Sequence, residues 1–206
     1  MNEILTDVAK YYTDKLMQYG SSPKGVDWKN EKDQITRFEQ LCKVIEDENR
    51  FAINDIGCGY GALYQYLLDR YSGFTYCGID ISGDMITAAK RLIGSKENVS
   101  FVVASVPSLI SEFSIASGIF NVKLEYDNSK WHNYIITTLD MMDRHSTKGF
   151  AFNCLTSYSD ADKMRSDLYY ADPCILFDHC KRNYSKWVSL LHDYGLWEFT
   201  ILVKKE

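Results

Sequence analysis

No long run of Lys or Arg occurs in the 206 residues, and the formal net charge is −5. A free-standing nucleic-acid binder usually shows a basic face, so composition argues against DNA or RNA as a partner. No stretch approaches the length of a membrane-spanning helix, and no membrane partner is expected. The opening residues, Met1-Asn-Glu-Ile-Leu-Thr-Asp7, lack a basic n-region and a long apolar core, so no signal peptide is expected. None of the six cysteines stands in a C-x-x-C pair. Reduced, mostly buried thiols in a cytoplasmic protein, with no metal site, are the expectation. Internal repeats and low-complexity tracts are also missing. Aromatics, by contrast, make up 14% of the chain and include fifteen tyrosines. Rigid core filling or a pocket that stacks on a flat or sugar-like ligand would each account for them. The length suits one domain with a sizeable core, residues 1–206.

The chain is organised around residues 51 to 61. Phe51, Ala52, Ile53 and Ile56 form a short apolar run that reads as a buried strand. Gly57, Gly59 and Gly61 follow at alternate positions, then Ala62-Leu-Tyr-Gln-Tyr-Leu-Leu68 at helical spacing. Glycines let the backbone bend tightly and let a ligand approach without a Cβ in the way. A helix start offers unpaired N–H groups to a polar ligand. Gly57, Gly59 and Ala62 also fit a dinucleotide pattern. Asp55 separates the readings, because a carboxylate at the strand end suits a cationic ligand and not a pyrophosphate.

A second strand, Phe74 to Ile79, ends in Asp80-Ile81-Ser82. Asp80 lies a little over twenty residues past Gly57, where an acid can take both hydroxyls of a ribose. Ser82 is a good N-cap for a helix through Met85 to Lys90. Asp55-Ile-Gly57-Cys-Gly59-Tyr-Gly61 resembles motif I of the class I S-adenosylmethionine (SAM) methyltransferases, and Asp80-Ile-Ser-x-x-Met85-Ile86 looks like the same family. The resemblance implies a Rossmann-like α/β sandwich. Its seven-stranded sheet is mostly parallel with an antiparallel last strand, under an N-terminal helical cover. It implies SAM as cofactor, lying against Asp55, Gly57, Cys58, Gly59, Asp80, Ile81, Met85 and Ser117.

Residues 1–48 are expected to supply the cover as helices over 3–19 and about 32–46, with a break at Gly20 to Gly25. Trp28, in the loop between them, reads either as a staple for the next helix or as a lid on the ligand. Arg37 reads either as a partner of the SAM carboxylate or as a surface residue paired with Glu39 or Glu46. After a third strand, Asn98 to Val103, the family often has an acid for the adenine amino group. This chain has Ala104-Ser105-Val106, so Ser105 can serve only weakly and Val106 can flank the ring.

The motif IV position, after a strand at 112–116, is Ser117-Gly-Ile-Phe-Asn121. It is not the Asn/Asp-Pro-Pro-Tyr/Phe of exocyclic nitrogen methylation, nor the Pro-Cys of cytosine-C5 enzymes. Transfer to oxygen, or less readily nitrogen, of a small-molecule acceptor is expected, in the manner of a bacterial biosynthetic enzyme acting on a sugar, nucleotide-linked or carboxylate metabolite. Residues 154–173 read as a cap over the acceptor, and Asn121, Asn153, Arg165, Tyr169 and Tyr170 as its contacts. Two final strands, about 187–191 and 197–203, enclose His192-Asp193-Tyr194. His192 is the candidate general base, placed at the carboxyl rim where ligands bind in open α/β sheets, with Tyr158 in reserve. His132 and His145 are placed on or after a helix away from that rim. Two rivals stay open at this point: a SAM-binding protein without catalysis, and an NAD-dependent oxidoreductase.

Overall fold

The computed structural model describes residues 2–45 and 50–206. Its elements begin with α1 (Asn2–Tyr19), a 3-10 turn (Pro23–Val26), α2 (Glu31–Leu41) and a second 3-10 turn (Cys42–Val44). Alternating units follow: β1 (Phe51–Ile56), α3 (Ala62–Leu68), β2 (Phe74–Asp80), α4 (Gly83–Ile93), β3 (Val99–Val103) and β4 (Ser111–Ala116). The chain closes with α5 (Asn128–Arg144), β5 (Ser146–Leu155), α6 (Pro173–Asn183), β6 (Trp187–Leu191) and β7 (Glu198–Lys204). α2 stops short of the expected end at Glu46, and that residue lies outside the described residues, as does the end of the 1–48 cover.

The seven strands lie in the order β3-β2-β1-β4-β5-β7-β6. The first five are parallel. β7 enters between β5 and β6, antiparallel to both, so β6 again points the way of the first five. The expected mixed sheet is therefore present. β1 and β4 are buried on nearly every residue, as apolar central strands of a parallel sheet must be.

Each face of the sheet has its own core. Phe38, Leu41, Tyr64, Leu67, Phe74 and Tyr76 gather on the side of α2, α3 and α4. Trp131, Ile135, Phe150, Phe152, Leu176 and Phe199 gather on the side of α5 and α6. Side-chain caps start α2 and α4, the second at Ser82 as expected. Asn30 Oδ1 accepts from Asp33 N at 2.8 Å, and Ser82 Oγ accepts from Met85 N at 3.2 Å.

α1 is tied across the carboxyl rim. Thr13 Oγ1 meets Ser82 Oγ at 2.8 Å at the start of α4, and Tyr126 donates to Asp7 at 2.6 Å ahead of α5. Asp27 accepts from Lys15 and from Tyr11, both at 2.7 Å, and so fastens the following turn to α1. Helix, turn and sheet rim together enclose a cavity.

Candidate active site

The cavity has a volume of about 330 Å³ and opens over the carboxyl ends of β1, β2 and β4. That is the size range of a small-molecule site. Its floor is the turn after β1. Gly57 N and Cys58 N both donate to Ile79 O, at 2.8 and 3.0 Å, which pins the turn to the end of β2. Gly57 has φ +73°, and a Cβ there would stand 2.2 Å from Ile119 Cγ2. Only glycine allows both the left-handed backbone and the close approach of the turn after β4.

Two carboxyl groups line the cavity, and neither has a cationic partner among the described residues. Asp55 is 2% exposed and accepts from the Tyr76 hydroxyl at 2.5 Å. Burial pushes its carboxyl up to about 7; the Tyr76 bond opposes the rise and the Asp80 charge adds to it. Asp80 accepts from Gly59 N at 2.9 Å and from Ser82 N at 2.8 Å. Burial raises its pKa as well, against the pull of those backbone bonds. A bound cation would relieve both groups. Each oxygen of Asp80 takes one backbone bond and keeps a lone pair for a ligand hydroxyl.

The walls bring together most of the residues expected to hold a cofactor. Trp28, Asp55, Gly57, Cys58, Gly59, Asp80, Ile81, Met85, Ser105, Val106 and Ser117 all line the cavity. The Ser117 hydroxyl is buried without a partner among the described residues. Leu5, Val8 and Tyr12 of α1 form the roof. Their apolar spacing is visible in the sequence, but the face they present to the cavity is not.

Arg37 is placed differently from expectation. It is 7% exposed, does not line the cavity and pairs with Glu198 rather than Glu39, while its Nη1 is buried without a partner among the described residues. Its guanidinium grips Glu198, with Nη2 at 2.6 Å and Nε at 2.9 and 3.0 Å from the two oxygens. The Trp28 ring stacks over it at 3.9 Å.

The expected acceptor contacts have partners inside the protein and stand away from the cavity. Asn121 Oδ1 accepts from Leu155 N at 3.1 Å, and its carbonyl accepts from Tyr169 N at 2.8 Å. Asn153 is fully buried; its Oδ1 accepts from Gly118 N at 2.8 Å and its amide donates to Glu198. Arg165 forks onto Asp167 at 3.0 and 2.5 Å. The Tyr170 hydroxyl accepts from Arg165 N at 3.0 Å, and Tyr169 meets His132 Nδ1 at 3.3 Å. None of the five lines the cavity.

His192 and Tyr158 are neighbours, with ring centroids 5.9 Å apart, yet neither reaches the cavity. β6 does point to the carboxyl rim. Its place at the sheet edge, four strands from β1, leaves His192 on the order of 19 Å away across the sheet. The reading of His132 is corrected too: it stands in the opening turns of α5 against Tyr169. His145 follows α5 at the amino end of β5, away from the carboxyl rim as expected, and lines the far end of the cavity.

The comparisons with known proteins agree with this geometry. Residues 53–145 match the family described as "Methyltransferase domain". The chain is 54% identical to the "Putative methyltransferase Rv1506c" of Mycobacterium tuberculosis, over 79% of this chain and 98% of that one. It is 43% identical to the "Malonyl-[acyl-carrier protein] O-methyltransferase 2" of Ilyobacter polytropus over 33% of this chain and 27% of the other. Among solved structures, the magnesium protoporphyrin IX methyltransferase of Synechocystis PCC 6803 with bound S-adenosylhomocysteine (SAH) has the same fold. It superposes with a TM-score of 0.67 at 12% identity over 98% of this chain and 99% of that one. With the cradle, the paired acids and the sheet order in place, the chain belongs to the class I SAM-dependent methyltransferases.

Proposed function

We propose that the chain transfers the methyl group to an ionised oxygen of a small acceptor, a carboxylate or an acidic hydroxyl. When bound, SAM supplies an electrophilic methyl group. The protein's own residues align and enclose. Asp80 offers two acceptor oxygens to a ribose. Asp55 favours a positive charge above the turn. Ser105 and Val106 lie where an adenine ring would be flanked, and the free Ser117 hydroxyl gains a partner when a ligand fills the cavity. Leu5, Val8, Tyr12 and Trp28 keep water out.

One observation carries the oxygen reading: the tyrosines that line the cavity are poor bases for a neutral acceptor, and the lining imidazole, His145, stands after α5 at the amino end of β5, away from the glycine turn. The phenols of Tyr12, Tyr60 and Tyr134 are all pushed up by burial, Tyr134 to about 12. Asp55 is engaged by Tyr76 at the base of the glycine turn. An acceptor that arrives ionised needs no proton removed. The turn Ser117 to Asn121 supports the same reading, since it lacks the Pro-Pro signature and commits Asn121 to Leu155. Residues 154–173 serve in this reading as the cap of a one-domain enzyme, held to the body by Ala171 N on Leu155 O at 2.9 Å.

The test is a panel of carboxylates, acidic hydroxyls and amines with SAM labelled in the methyl group. Label in a base-labile ester or an ether is expected. Label appearing only in amines would end the oxygen reading.

A further inference from the structure

Glu198 is a buried acid at the start of β7, 1% exposed, in a part of the molecule remote from the glycine turn in sequence. Burying a charge is expensive unless it is paired, and even a good pair is often no more stable than well-packed apolar side chains. Glu198 takes three contacts from Arg37, between 2.6 and 3.0 Å, and one from Asn153. Beyond Asn153 the chain of bonds continues to Gly118 N at 2.8 Å. Beyond Arg37 it continues through the stacked Trp28 ring at 3.9 Å. The two arms then meet. Gly118 has φ +76°, and a Cβ on it would stand 2.2 Å from Trp28 Cζ2. Trp28, Arg37, Glu198, Asn153 and Gly118 therefore close a ring, and only Trp28 and Gly118 of the five face the cavity.

We propose that Glu198 is a positioning residue for methyl transfer, holding Trp28 and the Ser117–Gly118–Ile119 turn as one wall of the cavity. The inference rests on the functional reading above. Its physical content is a division of labour. The wall must sit against the cofactor cradle, because Ile119 already abuts Gly57. Neither an indole nor a three-residue turn fixes its own place. A carboxylate with four bonds in two directions fixes both, and does so from outside the cavity where it meets no ligand. Coupling energy through such a network is carried by packed and hydrogen-bonded neighbours.

The experiment uses the full chain labelled with 5-fluorotryptophan, whose four tryptophans give four fluorine resonances. Trp28→Phe assigns the resonance of interest, and Trp131 and Trp187, outside the ring, serve as references. SAH is the probe. Wild type is expected to bind it with a sharp shift at Trp28. Glu198→Gln is expected to weaken SAH by about tenfold and to move or broaden the Trp28 line in the free protein, leaving the references in place. The double variant Arg37→Met/Glu198→Met removes both charges and is expected to be as stable as wild type or more so, while still losing affinity and the Trp28 signature. If Glu198→Gln fails to fold, the double variant decides by the same two readouts. A folded variant with SAH affinity within about twofold of wild type and an unmoved Trp28 line would make the ring merely structural and overturn the proposal. Wild type failing to bind SAH would break the functional reading itself, a different result from an unaffected variant.

Discussion

The half of the sheet from β1 to β3 and the half from β4 to β7 use polar side chains in opposite ways. In the first half, Asp55 and Asp80 are buried at the cavity with no cation beside them. In the second, the side-chain oxygens of Asn121 and Asn153, Nε and Nη2 of Arg165 and the Glu198 carboxylate are bonded to other parts of the protein. Unmet demand that faces the cavity, at Asp55, Asp80 and the Ser117 hydroxyl, marks where a ligand goes, and the bonded side chains of the second half read as scaffold. A list of polar residues cannot make that distinction. A list of their partners can.

Breaking the first half should have the largest effect. Gly57→Val puts a branched side chain where Ile119 already sits, on a backbone with φ +73°. Strain of this kind costs about 1–3 kcal/mol before the clash is counted. Loss of SAH binding beyond about a hundredfold is expected by calorimetry. Normal binding would place the cradle elsewhere.

Asp80→Ala comes next. It removes the acceptors for Gly59 N and Ser82 N as well as for the ribose. Weakening of SAM by about 1.5–3 kcal/mol is expected in a folded variant. An unchanged affinity would remove Asp80 from the site.

Asp55→Asn sharpens the comparison, because stability and binding should move apart. The folded pKa of Asp55, about 7, stands above its ordinary value of 3.8. The fold therefore holds a proton that the unfolded chain gives up. The associated stability is full below the ordinary value, falls as pH rises, and is gone above about 7. Asn cannot ionise. The variant is expected to match wild type in melting temperature near pH 4, to exceed it at pH 8, and to bind SAM about tenfold more weakly. A melting-temperature gap that does not change with pH would show that Asp55 is not the titrating group.

His192→Asn, in the second half, should do least. Its ring contacts are Tyr158 and Phe199, and no cavity residue depends on it. Turnover at saturating SAM is expected within about threefold of wild type, well short of the 10²–10⁴ typical of general-base loss. A larger loss with a shifted pH profile would restore His192 as a base.

The same contrast explains what could be read from the sequence. The first half is built from neighbours: strand, glycine turn and helix occupy residues 51 to 68, and the second acid caps the next strand. Residue type and spacing suffice there, and Trp28, Ser105 and Val106 do reach the cavity wall. The second half depends on distant pairs. Arg37 and Glu198 are 161 residues apart, and Asn153 and Glu198 are 45 apart. Nothing near Arg37 in the chain announces Glu198, so a cofactor carboxylate and a nearby Glu were the partners on offer. The strand order had a similar effect on His192. Its rim was legible, but its distance from β1 followed from β7 entering between β5 and β6. The roof residues Leu5, Val8 and Tyr12 belong to the helix expected over 3–19, whose sequence gives no sign of the cavity it covers.

The central claim is that the first half keeps a buried carboxyl waiting for a cation. Calorimetry of SAM binding at pH 7, repeated in buffers of different ionisation enthalpy, tests it most directly. With Asp55 titrating at about 7, binding is expected to release about half a proton, less for SAH, and none that Asp55→Asn retains. A binding enthalpy independent of buffer, or the same proton release from Asp55→Asn as from wild type, would contradict the claim.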